Sequence, residues 1–130
     1  MMAEDLLDFW VRLITPIFPE NAWIVSSYSN DNHIILIDWN IRNDPKRPGK
    51  RSRKIQVTIK EDAIDDYLNK NKPEREIYSI ALKRLIGEWY KHFNPDNDSL
   101  TNRSVPTEKW LISMEVLNIW MSGGYVFSCA

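Results

Sequence analysis

Apolar positions at the start of the chain recur at three- and four-residue spacing: Leu6, Phe9, Trp10, Leu13 and Ile14. That is the period of one helical face. Glu4, Asp5 and Asp8 place negative charge in the first turns, where it suits the positive end of the helix dipole. The spacing predicts a helix over 3–14, which Pro16 and Pro19 stop. The period then changes to two. Residues 22–27 are rich in aromatic and β-branched types and read as a strand, and Ser29-Asn30-Asp31-Asn32 reads as a turn. A second strand runs from His33 to Arg42, with Ile35, Ile37, Trp39 and Ile41 on one face. Ile34, Leu36, Asp38 and Asn40 fall on the other. Residues 43–54, with Pro45, Pro48 and Gly49, read as a loop. In the third strand Ile55, Val57 and Ile59 face one way and Gln56, Thr58 and Lys60 the other.

If these strands form an antiparallel hairpin, same-face residues must pair. The apolar rows then lie against a core, and Asp38, Asn40, Arg42, Gln56, Thr58 and Lys60 gather on a wet face. Residues 61–69 read as a short helix with acids at its start, broken by Asn71-Lys72-Pro73. A long helix is expected from Glu74 to Phe93, with Ile77, Ala81, Leu82, Leu85, Ile86, Trp89 and Phe93 as its apolar stripe. Gly87 inside it signals close packing or simple tolerance. Over 107–121 two periods compete. Trp110, Leu111, Met114, Leu117 and Met121 fit a helix, while Trp110, Ile112, Met114 and Val116 alternate as in a strand. The length of the run and its lack of turn residues favour the helix, ended by Gly123-Gly124. The expected fold is one α+β domain over 1–130: an N-terminal helix, a three-stranded antiparallel meander, then two or three helices on one face.

Composition changes this picture little. With 130 residues, 43% apolar and 27% charged, the chain can bury a core without staples. Its one cysteine, Cys129, excludes an intrachain disulfide and reads as a free thiol. Met1-Met2-Ala3-Glu4-Asp5 is acidic where a signal peptide is basic, so a cytoplasmic location is expected. His33 and His92 have no partners nearby in sequence, and no motif calls for a metal or cofactor.

Charge changes it more. Between Arg42 and Lys54 stand seven basic residues (Arg42, Lys46, Arg47, Lys50, Arg51, Arg53, Lys54) and one acid, Asp44. The segment carries +6 in a chain of net −1, so the remainder carries −7. A basic loop between strands can track a phosphate backbone, each contact releasing counterions. Arginine forks add bidentate phosphate geometry. The first expectation is therefore a non-enzymatic binding or adaptor domain that engages nucleic acid, another polyanion or an acidic protein. The competing structural reading lays the loop on Glu61, Asp62, Asp65 and Asp66, or leaves it as a solvated tip.

Helix, three strands, helix is also the order of the double-stranded RNA-binding domain. The long helix here opens Glu74-Arg75-Glu76, where that family is basic. Reading of single strands on the sheet is disfavoured at this stage, because Trp39 falls on the buried face and the wet face looks polar. A second function class is a protein-interaction or homodimerisation module. Trp120, Met121, Tyr125, Val126 and Phe127 carry apolar character past the glycine pair. The tail over 122–130 then either moves freely or is buried on its own sheet or a neighbouring subunit. A third class is a degenerate Mg²⁺ nuclease with Asp38 and Lys60 on one hairpin face. Gln56 and Thr58 stand where it needs a second carboxylate.

Overall fold

The computed structural model describes residues 3–40, 52–95 and 107–123. Ile41, five residues of the basic segment (Arg42, Lys46, Arg47, Lys50, Arg51) and the tail residues Tyr125, Val126, Phe127 and Cys129 lie outside them. The elements run α1 (Ala3–Ile14), a 3-10 turn (Thr15–Ile17), β1 (Trp23–Ser29), β2 (Asn32–Asp38), β3 (Ile55–Ile59), α2 (Glu61–Leu68), α3 (Lys72–Lys91), β4 (Glu108–Ile112) and α4 (Met114–Met121). The α+β class is as expected. The sheet differs: it has four strands in the order β1-β2-β3-β4, the first three antiparallel and β4 parallel to β3.

That fourth strand corrects the single helix expected over 107–121. Residues 108–112 pair with Ile55–Ile59, and the chain turns helical only at Ser113, whose side chain caps α4 by accepting from the Val116 N–H at 3.2 Å. Parallel pairing across some fifty residues leaves no local trace, so the alternation in the sequence was outvoted by its length. The added parallel strand also departs from a helix–three strands–helix order.

Local chemistry explains most other boundaries. β1 and β2 are joined through Asn30 and Asp31, whose φ values of 50° and 65° build the two-residue turn that suits the twist of a hairpin. Asn71 and Glu74 cap α3 reciprocally, at 3.0 and 3.2 Å, with Pro73 in the first turn. The Asp62 carboxylate accepts from the Met114 N–H at 3.1 Å, so α2 helps cap α4. Gly123, at φ +91°, ends α4 in the left-handed region.

All four helices contribute to one hydrophobic core on one side of the sheet. The rows facing it are Ile24–Ile37–Ile55, Ile35–Val57–Trp110 and His33–Ile59–Ile112. Leu6, Leu7, Trp10 and Ile14 of α1 meet them, with Tyr78, Leu82, Leu85, Ile86 and Trp89 of α3 and Leu117 of α4. The stripe expected on α3 is corrected at its start: Tyr78 is buried and Ile77 is exposed. The Tyr78 hydroxyl donates to the Ala63 carbonyl at 3.0 Å, and burial beside Asp66 and Asp62 raises its pKa. Among the described residues, no helix is long and apolar enough to cross a membrane.

Candidate functional site

Among the described residues, no helix packs on the other face of the sheet. Its rows, read across β1, β2, β3 and β4, are Val25–Leu36–Gln56–Lys109 and Ser27–Ile34–Thr58–Leu111. Trp23 pairs with Asp38 at one corner, beside Lys54 just before β3. None of these side chains is buried. Trp23 is 66% exposed, Val25 46% and Leu111 42%. The wet face expected from the hairpin is there, with Gln56 donating to Thr58 at 3.3 Å. It is less polar than expected, because β1 adds Trp23 and Val25. Trp23, Val25, Leu36, Ile37, Asp38 and Lys54 line a shallow hollow of about 270 Å³.

The basic segment leaves the sheet at this same corner. Its two roots are tied together: the Ser52 hydroxyl accepts from the Trp39 N–H at 3.0 Å, and the Ser52 N–H donates to the Trp39 carbonyl at 2.8 Å. The two described cations of the segment have different roles. Lys54 is exposed on the open face. Arg53 points the other way, pairing with Glu108 at 2.9 Å, reaching the Asn94 carbonyl at 3.4 Å and stacking over Phe93. Arg53 therefore stitches β3 to β4 and to the end of α3. The acids of α2 lie past the far end of β3, with all five residues of that strand between them and these roots. At about 3.3 Å per residue that is roughly 17 Å.

Lys60, at the other end of β3, does share the open face with Asp38. Register nonetheless puts Asp38 opposite Trp23, while Lys60 lies just beyond the Ile59–His33 pair. Six strand residues, about 20 Å, separate the two ends. Among the described residues, no group of three or more His, Cys, Asp or Glu side chains is placed to hold a metal.

Trp120 and Met121 line a second surface with Ile77, Ile80, Ala81 and Arg84, a groove of about 580 Å³ between α3 and α4. Ile77 is 61% and Ile80 53% exposed. A third hollow lies between Phe9, Tyr67, Lys72 and Arg75. Arg75 is engaged there, its guanidinium donating to the Tyr67 and Leu68 carbonyls at the end of α2.

His33 belongs to the core. Its ring meets Trp10 and Tyr28 edge-on, Nδ1 has no hydrogen-bond partner among the described residues, and burial lowers its pKa.

The residue that sequence reasoning missed is Trp23. Its signal was the strand of residues 22–27, but the face of that strand follows only from pairing with β2. Compared with known protein families, with curated proteins and with solved structures, the chain matches none.

Proposed function

We propose that the protein binds nucleic acid through the open face of its sheet and the basic segment rooted beside it. The observation that carries the reading is the sharing of one surface by Lys54, Lys60 and Lys109, by an exposed tryptophan, and by the roots of a segment with Arg42, Lys46, Arg47, Lys50 and Arg51. Asp38 stands on this face among the lysines, while other acidic side chains gather at Asp5 and Asp8 of α1 and at Glu61, Asp62, Asp65 and Asp66 of α2. The open face is thus net positive, and a net positive face attracts a polyanion. Binding is then salt-dependent, because each lysine or arginine that meets a phosphate releases counterions. Arg53 does not take part, since Glu108 and Phe93 hold it.

The test is fluorescence anisotropy of labelled DNA and RNA at two salt concentrations. Affinity is expected to fall steeply as salt rises, and neutralising Lys54 and Lys109 to glutamine should flatten that slope. Absence of binding at low salt contradicts the reading.

A second reading has its own support. Ile77, Ile80, Trp120 and Met121 make an exposed apolar groove, the kind of surface that marks a protein contact. It fits homodimerisation through α3 and α4. Light scattering on the wild type and on a variant carrying Ile77→Asp and Ile80→Asp tests it, a monomer in both cases removing it.

A further inference from the structure

The open face is not uniform, and we infer that its Trp23 corner takes a single strand, one base stacking on the indole while Lys54 and Lys109 meet the phosphates. This rests on the nucleic-acid reading above and names which nucleic acid that site accepts. Three observations carry it. Trp23 is the most exposed large apolar side chain among the described residues, at 66%, and it stands on a strand that fixes its backbone. A bulky ring held in the open on a rigid sheet offers stacking area at little entropic cost.

The hollow beside it, about 270 Å³ and bounded by Trp23, Val25, Leu36, Ile37, Asp38 and Lys54, is apolar on its β1 and β2 side except for the Asp38 carboxylate at its end, and cationic on its β3 side. That volume is below the roughly 300–1,000 Å³ of pockets that enclose a drug-sized ligand. An open, half-apolar hollow of this kind suits one flat ring still attached to a charged chain.

The third observation is the breadth of the face. Four strands at about 4.8 Å spacing span roughly 14 Å between outer backbones before side chains are counted. The duplex major groove is about 12 Å wide and admits a helix or a two-stranded ribbon. A four-stranded face cannot enter it, and the bases of a duplex are stacked away from a ring outside the groove. A single strand laid across the sheet has bare base faces and meets Trp23 without distortion. A second copy of the same face is disfavoured as occupant, because Lys54, Lys60 and Lys109 outweigh Asp38 and leave both faces net positive.

The experiment compares a labelled oligothymidine with a labelled duplex of the same length, each titrated at low salt with wild type, Trp23→Ala and Trp23→Phe. The wild type should prefer the single strand. Trp23→Ala should weaken that binding by about 5-fold to 100-fold, the usual cost of a lost base–aromatic stack. Its salt slope should be unchanged, and Trp23→Phe should retain most of the affinity. Should Trp23→Ala fail to fold, Trp23→Thr, a β-branched residue suited to a strand, carries the same comparison. A wild type that prefers the duplex, or a Trp23→Ala that weakens both ligands equally or neither, overturns this inference and leaves the broader reading standing. No binding of any nucleic acid overturns both. A doubled mass in light scattering that Trp23→Ala abolishes also overturns it, giving the face to a second copy.

Discussion

Trp110 and Trp23 belong to one sheet and have opposite surroundings. Trp110, on β4, is packed edge-on by Trp89 and Phe93 and lies nearly parallel to Phe18. Trp23, on β1, projects from the other face with most of its surface bare. The same strands thus supply a closed face, where α1, α2, α3 and α4 pack on the apolar rows, and an open face on which none of the described helices packs. Burial on the closed face is a matter of stability. On the open face apolar residues contribute less, through cross-strand neighbours alone. In charge, the described rows of the open face set Lys54, Lys60 and Lys109 against Asp38.

The sharpest break of this contrast is a pair of truncations. Trp110→Ala should cost about 3–5 kcal/mol of stability, as large-to-small changes in aromatic cores do. Trp23→Ala should stay within about 0.5 kcal/mol, as surface changes do. Urea unfolding of both variants checks it, and equal losses would mean that the open face is covered after all.

Next in size is Ser52→Ala. It removes the hydroxyl that accepts from the buried Trp39 N–H, and leaving that donor unpaired should cost about 1–3 kcal/mol. The same unfolding measurement reads it. The change also loosens the root of the basic segment, so affinity for nucleic acid should fall less than stability does.

His33 sharpens the account of the closed face through pH. Burial holds its folded pKa below the unfolded value near 6.5, so the unfolded chain binds the proton first. Its contribution to stability is therefore complete above about pH 6.5 and is lost as pH falls below that value. Unfolding midpoints followed from neutral to acid pH should decline, and more steeply in the wild type than in His33→Leu.

The smallest effect is expected at Gly87, where an added Cβ meets nothing within 4 Å. Gly87→Ala should stabilise α3 by up to about 1 kcal/mol, read as a raised thermal midpoint.

Much of the closed face was legible in the sequence. The alternation of Ile35, Ile37 and Trp39 against Ile55, Val57 and Ile59 is a local signal, and the pairing of like faces follows from it. So are the spacing in α1 and the Asn-Asp turn. What was not legible depends on distant partners. Trp23, Ile24 and Val25 are consecutive apolar residues with no period of two, so only the pairing with β2 sends Trp23 outward. Strand β4 runs into α4 with no glycine or proline between them, and its partner β3 is some fifty residues earlier. Ile77 was counted into the α3 stripe because its spacing fits, whereas Tyr78, amphipathic and one position on, fills that place. Arg53 looked like one more cation of the basic segment until Glu108 was brought beside it.

The most direct test of an open binding face is a two-dimensional NMR titration of labelled protein with an oligothymidine. The account predicts that shift changes gather at Trp23, Val25, Leu36, Lys54, Gln56 and Lys109, with the α3–α4 groove at Ile77, Ile80 and Met121 unmoved. Changes confined to that groove, or no changes at all, would contradict it.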